Sequence, residues 1–387
     1  MIFNNTAVAF SLKSDRALSR AYFLFKLISK ASLVKLGTNI INTAIKWRLP
    51  INSLVRHTVF DHFCGGINEK DCMPTIERMY SKGLYGVLDY SVEGKNKEDE
   101  FNAVMDRIIK IIHFSKENPA TPIAVFKPTA LGRFELFEKI SSNDMLNKKE
   151  QEEWHRIEQR FHKICNAAKT NDIIILIDAE ESWMQRAADT LVTEMMKTYN
   201  TEKPIVYNTL QMYRHDRLSF LKQEHRQAKD GNYHLGYKVV RGAYMEKENE
   251  RAEKQGYVSP ICINKQETDK NYNNAVHYIL EHLDDISIFA GTHNEDSCYL
   301  IMDLMKAKEL KHNDSRIYFG QLYGMSDHIS FNLANHGYNA TKYIPFGPVK
   351  DVMPYLIRRA QENTSVAGQT SRELELLTQE RKRRKEL

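Results

Sequence analysis

The sequence predicts an α/β protein built on a (β/α)8 barrel. Eight short apolar runs rich in valine, isoleucine and aromatic residues recur at 85–92, 122–129, 172–179, 204–212, 237–244, 286–292, 316–323 and 341–346. Each is too short for a typical helix and has the length of a buried strand. Stretches of helical character separate them, including 101–114, 149–167, 182–199, 213–229, 270–283 and 294–308, and 351–363 closes the last repeat. Eight such units over about 280 residues match the size of this barrel. A doubly wound sheet is the main competitor, and it needs a glycine-rich fingerprint after an early strand. The pair Gly65-Gly66 lacks both the spacing and the strand.

The elements around the barrel follow in order. Residues 1–75 read mostly as a helical region, with Ala21, Leu24, Ile28 and Ala31 at helical spacing and Ser19 and Ser32 as candidate caps. The barrel domain is expected over 76–368. Its long segment 134–171, polar and charged at 139–152, reads as an extended helical connection or an excursion on the barrel surface. Residues 369–387, with Glu373, Glu375, Glu380, Arg381 and Arg384, form either a charged terminal helix or a disordered tail.

Composition narrows the class. With 387 residues and 42% hydrophobic content the chain buries a sizeable core. Its five cysteines are an odd number without CxxC spacing, which argues against a disulfide framework or a four-thiolate zinc site. The net charge of +5 is mild, and the one dense basic run is Arg381-Lys382-Arg383-Arg384-Lys385. That pattern gives no nucleic-acid footprint. The basic run reads as a solvated tail or as contact with an anionic membrane surface. No run is long and apolar enough to span a membrane, and no signal-peptide core is present. The basic segment 16–47 leaves room for a mitochondrial presequence, although its apolar stripe reads as one that packs.

A barrel of this kind works at the C-terminal ends of its strands, and polar residues gather there. Glu93 follows the first run, Lys127 ends the second, and Asp178 and Glu180 end the third. Gln211 and Tyr213 end the fourth, and Lys238, Arg241 and Tyr244 lie in and after the fifth. His293 and Asn294 follow the sixth, Gln321, Tyr323 and Asp327 mark the seventh, and Tyr343 lies in the eighth. Lys127 stands in an apolar run, and a buried ammonium needs an anionic partner, for which Asp178 is the natural candidate. Arg358, Arg359 and Glu362 lie on the closing helix, where they form either a surface ion pair or a carboxylate grip. His293 through Asp296 lack metal-ligand spacing, so no metal is expected; a helix cap explains Asn294 and Asp296 as well.

The segments LDYSVEG at 88–94, VFKPTALGR at 125–133, LIDAEES at 176–182, YNTLQMYRHD at 207–216 and KVVRGAYMEKE at 238–248 together resemble the proline dehydrogenase family. So do FAGTHNE at 289–295, QLYGMSD at 321–327 and YIPFGPVKDVMPYLIRRAQEN at 343–363. The resemblance includes the proline-oxidising domain of bifunctional bacterial enzymes, and residues 5–25 resemble the stand-alone branch. It implies a distorted barrel with a final helix over its mouth and noncovalent FAD. By the same resemblance Lys127 and Asp178 belong to the active-site polar network, and Tyr244 and Tyr343 line the proline site. Arg358 and Arg359 grip the proline carboxylate, Glu362 supports them, and Glu93 gates them. Gln211, Lys238, Arg241 and His293 align with flavin contacts, joined by Asn294. Thr268 and Asp269 resemble a family stretch after the fifth strand. Lys238 departs from the bacterial bifunctional pattern, which has an arginine there.

The implied activity is oxidation of L-proline to Δ1-pyrroline-5-carboxylate, with electrons passed to a membrane quinone through peripheral membrane contact. The implied location is the cytoplasm or the inner face of its membrane, or the mitochondrial matrix and inner membrane in a eukaryote. Three rivals stand beside this reading. A hydroxyproline dehydrogenase is disfavoured because the resemblance places Tyr343 where a hydroxyl would sit. The others are a non-catalytic barrel and a phosphate-sugar isomerase.

Overall fold

A computed structural model describes residues 1–30, 59–90, 96–353, 355–357 and 369–386. Eight parallel strands close into a barrel in chain order: β1 (Leu84–Tyr90), β2 (Ile123–Phe126), β3 (Ile174–Ile177), β4 (Val206–Gln211), β5 (Leu235–Val240), β6 (Ile286–Gly291), β7 (Ile317–Leu322) and β8 (Ala340–Phe346). The barrel expected from the sequence is therefore present, and each strand falls within or beside its apolar run. The chain forms two compact units, Met1–Glu93 with Gly320–Leu387, and Gly94–Phe319.

In the unit Gly94–Phe319, helices alternate with the strands: α3 (Glu98–Glu117), α4 (Phe134–Ser141), α5 (Lys148–Asn171), α6 (Ser182–Tyr199), α7 (Arg217–Gly231), α8 (Met245–Gln255), α9 (Lys265–Glu281) and α10 (Glu295–Ala307). β2 and most of β3 are buried on both faces, so they read as continuous apolar runs rather than alternating ones. The long connection after β2 is α4 followed by α5. Helix α5 starts at a capping box, in which Asn147 Oδ1 accepts from Glu150 N at 3.1 Å and Glu150 Oε2 accepts from Asn147 N at 2.8 Å. It ends at Asp172, in the left-handed region.

The unit Met1–Glu93 with Gly320–Leu387 holds β1 paired to β8 from Leu84↔Ala340 to Tyr90↔Phe346. Around them stand α1 (Asp15–Ile28), α2 (Glu69–Tyr80), α11 (Asp327–Asn335) and α12 (Gln369–Lys385). Helix α1 is capped by Ser14, whose Oγ accepts from Ala17 N at 3.3 Å. Ser19 lies inside the helix and is exposed, which corrects its assignment as a cap; Ala31 and Ser32 lie outside the described residues. The stripe of α1 is Leu18, Ala21 and Phe25, buried with Phe10 against Leu376 and Leu377 of α12. The C-terminal segment is thus a packed charged helix and not a disordered tail. Within its basic run, Arg383 and Arg384 both pair with Glu380, and Arg384 also donates to the carbonyls of Phe10 and Lys13 at 2.9 and 2.8 Å.

The turn between β7 and α11 is held tightly. Gly324 has φ +81, and a Cβ there would lie 2.3 Å from the His62 carbonyl oxygen, so glycine is required on both counts. Asp327 opens α11 and accepts from Lys13 Nζ at 3.0 Å and Lys342 Nζ at 2.9 Å. Burial pushes its carboxyl up, but the two ammonium groups outweigh burial and hold it well below the usual carboxylate range. The Ser326 amide beside it donates to the buried Glu373 carboxylate of α12.

Candidate active site

The C-terminal ends of β2 to β6 bring together most of the polar residues singled out in this part of the sequence. Lys127 directly follows β2 and Asp178 directly follows β3. Asp178 Oδ1 accepts from Lys238 Nζ at 2.6 Å, and Lys238 itself is buried within β5. The expected partner of Asp178 was Lys127; the ion pair seen is with Lys238, a residue the family resemblance places among flavin contacts.

The register explains why Lys238 belongs at this place. Thr209 of β4 lies beside Lys238, which lies beside Phe289 of β6. One pleat earlier Gly236 lies beside Ser287, and a Cβ on Gly236 would meet the Tyr207 ring at 2.5 Å. One pleat later stand Gln211, Val240 and Gly291. A Cβ on Gly291 would meet Val240 Cγ1 at 2.8 Å and approach Lys238 Cε at 3.9 Å. Gln211 ends β4 and is 3% exposed. The buried Gln211 amide and the neighbouring Lys238 ammonium offer donors of the kind a flat polar group such as a flavin ring would take.

Arg241 follows β5 and is held from three sides. It donates to Asp269 Oδ1 at 2.6 Å, to Thr292 Oγ1 at 2.9 Å and to Ser297 Oγ at 3.0 Å, and its guanidinium stacks over Tyr272. This pre-set fork suits an anionic partner. Two other predicted cofactor contacts have local duties. Asn294 Oδ1 caps α10 by accepting from Ser297 N at 2.8 Å, and Thr268 Oγ1 donates to Asn264 O within α9 at 3.3 Å. His293 precedes that cap and is half-buried.

Two buried carboxylates that the sequence gave no role organise these loops. Glu180, three residues beyond β3, accepts from Thr129 Oγ1 at 2.7 Å and from Thr129 N at 3.1 Å. Burial pushes its carboxyl up to about 7, against the pull of Lys127 and the two hydrogen bonds. Glu248 of α8 accepts from Ser182 N and Oγ, both at 2.6 Å, at the start of α6. Beside it Lys247 pairs with Glu181 at 2.6 Å. These contacts tie the β3 loop to α8, whose N-cap is Tyr244. The local signal for them was the acidic pair Glu180-Glu181 between an apolar strand and a helix; their partners lie too far along the chain for spacing to find.

In the other unit Tyr343 lies in β8 opposite Val87 and is 6% exposed. Glu93, Arg358, Arg359 and Glu362 lie outside the described residues, as does most of the helix expected at 351–363. Among the described residues no group of three or more histidine, cysteine, aspartate or glutamate side chains is placed to hold a metal.

Residues 72–372 match the family model described as proline dehydrogenase. The chain belongs to the proline dehydrogenase family. It is 36% identical to the carbapenem antibiotics biosynthesis protein CarD of Pectobacterium carotovorum subsp. carotovorum, over 83% of this chain and 83% of that one. It is 31% identical to the mitochondrial proline dehydrogenase 1 of Dictyostelium discoideum, over 96% of this chain and 73% of that one. Among solved structures, proline utilization A of Bdellovibrio bacteriovorus inactivated by N-propargylglycine superposes with a TM-score of 0.73 at 19% identity. That match covers 97% of this chain and 39% of the other, and it speaks for the fold alone. Among the described residues no helix is long and apolar enough to cross a membrane.

Proposed function

We propose that this member of the family oxidises L-proline to Δ1-pyrroline-5-carboxylate, using noncovalently bound FAD and passing the electrons to a membrane quinone. The observation that carries the reading is the buried Lys238–Asp178 pair, 2.6 Å apart, near the buried Gln211 amide. Gln211 and Lys238 would hold the flavin ring, and Arg241 and His293 would hold the rest of the cofactor. When bound, the flavin supplies the hydride acceptor that no side chain provides.

The chain's own residues bind and prepare the substrate. Arg358 and Arg359 take the carboxylate bidentately, which fixes the ring's orientation, with Glu362 in a supporting role and Glu93 as gate. Lys127 places a positive charge by the amine, which disfavours its protonated form and leaves the nitrogen lone pair available to form the C=N bond. Tyr244 and Tyr343 pack against the ring, and Tyr343 fills the space that a ring hydroxyl would need. Membrane contact in this reading is peripheral, through basic side chains such as Lys382 and Lys385 on α12, both exposed.

Acid extraction tests the cofactor. Flavin released into the supernatant supports noncovalent FAD; protein that is colourless and binds no added FAD contradicts it. The carboxylate grip is tested by Arg358→Ala and Arg359→Ala. Removing a charged hydrogen-bond partner costs about 2–5 kcal/mol, so kcat/KM for proline falls by roughly one and a half to four decades with flavin content unchanged. Near-normal kcat/KM in both variants would refute the assignment. Turnover of proline against hydroxyproline separates the two substrates.

A further inference from the structure

We propose that the cavity between the start of α1, α2 and the β7–α11 turn is a binding site for a small oxyanion: a carboxylate or phosphate group carried on a compact molecule.

The cavity measures about 260 Å³ and is lined wholly from the unit Met1–Glu93 with Gly320–Leu387. Helical spacing builds two of its walls. Thr75, Arg78 and Met79 stand at i, i+3 and i+4 on α2, and Ala17 and Arg20 stand at i and i+3 on α1. The apolar stripe of α1 is Leu18, Ala21 and Phe25, which leaves Arg20 exposed. The third wall is the β7–α11 turn, with Tyr323 and Asp327, and Lys13 joins it from just before α1.

The charges around this space do not balance. Lys13, Arg20 and Arg78 line it against two carboxylates, Asp61 and Asp327. Asp327 is already shared, 3.0 Å from Lys13 and 2.9 Å from Lys342, so two ammonium groups there divide one carboxylate. Glu373, whose field reaches both ammonium groups, is held toward its neutral form by burial. Arg20 meets Asp61 only at 4.0 Å, with both side chains partly exposed. Arg78 gives its Nε to the Pro74 carbonyl at 3.2 Å and its Nη2 to Thr75 Oγ1 at 3.5 Å, both neutral acceptors. His62 lies in the wall but adds no charge: its Nε2 donates to the Gly324 carbonyl at 2.9 Å, and burial pushes its pKa down to about 3.

The surplus is positive and is carried largely by arginine. A guanidinium takes a carboxylate or phosphate through paired N–H donors, which a chloride ion cannot use in the same way. Arg20 and Arg78 come from different helices, and the Thr75 and Tyr323 hydroxyls add neutral donors between them and the turn. Leu12 and Phe331 line the rest, which suits a short carbon skeleton on the anion. A bound anion would tie α1 to α2 and stabilise the fold by mass action.

The test is calorimetric titration of the full-length protein with sodium phosphate and, separately, sodium succinate. Ionic strength is held constant with sodium chloride, which removes general screening. At least one probe is expected to bind with a Kd of about 1 mM or below and to raise Tm. Phosphate alone binding identifies a phosphate ligand, and succinate alone a carboxylate. Arg78→Gln and Arg20→Gln, both at exposed positions, should each fold normally and weaken that binding about tenfold or more. No binding of either probe at about 10 mM overturns the proposal. Binding that both variants leave unchanged also overturns it, because the anion then sits elsewhere.

Discussion

Asp327 and Glu180 are both buried carboxylates a few residues beyond a barrel strand, and their surroundings push them in opposite directions. Asp327 sits between two ammonium groups, Lys13 at 3.0 Å and Lys342 at 2.9 Å, and is held ionised far below its usual range. Glu180 has one lysine's field and two hydrogen bonds from Thr129, and burial still lifts it to about 7. One cation and two neutral donors thus do not offset full burial of a carboxylate, whereas two cations in direct contact do. The first arrangement fastens the N-terminal segment to the β7–α11 turn. The second leaves a group that changes charge near neutral pH, as groups at working sites commonly do.

The largest effect expected from breaking this comparison is at Asp327. Asp327→Asn leaves Lys13 and the almost fully buried Lys342 without their shared counter-ion. Loss of one partner from a buried pair costs about 3–5 kcal/mol, so the urea midpoint should drop sharply at pH 7. A loss below about 1 kcal/mol, the range of exposed pairs, would mean that the triad fastens nothing.

Glu180→Gln should behave differently, because here the wild type carries the cost. The folded pKa of about 7 lies above the ordinary 4.5, so the folded protein binds this proton more tightly than the unfolded chain does. The group's contribution is fully present below about pH 4.5 and is lost as pH rises through 7. Relative to wild type, the glutamine variant should therefore gain about 2–3 kcal/mol between pH 4.5 and pH 8. Denaturation curves at the two pH values measure this directly; a variant that loses ground as pH rises would reverse the sign assigned to Glu180.

The smallest effect is expected at the chain end. Arg384→Ala removes contacts to Glu380, Asp15 and two carbonyls at a partly exposed site, for about 1–2 kcal/mol. Unchanged stability would show that the apolar contact of Leu376 and Leu377 with Leu18, Ala21 and Phe25 holds α12 alone.

The sequence carried the barrel well and the partnerships poorly. The β-branched runs placed all eight strands, because a strand buried on both faces leaves a continuous apolar signature. Two helices escaped notice for opposite reasons. Helix α8, MEKENERAEKQ, buries only Glu248 and Ala252, so it has almost no apolar period. Helix α11, DHISFNLAN, is buried nearly all round, so it shows no polar face. Lys127 and Asp178 directly follow their strands, Gln211 ends β4, and Lys238 lies inside β5. The pairing of Asp178 with Lys238, sixty residues away, depends on β-strand register and was not legible from local spacing. Glu180 was visible as a strand-end acid, but its partner Thr129 lies 51 residues earlier, beyond the reach of local spacing.

Reduction of a bound flavin by proline is the step on which the proposed function stands or falls. Anaerobic mixing of the purified protein with L-proline, while following the oxidised-flavin absorbance band, tests it most directly. The band is expected to bleach in proportion to bound flavin and to return when a soluble quinone analogue is added. A protein that carries flavin whose band is unchanged by saturating proline would contradict it.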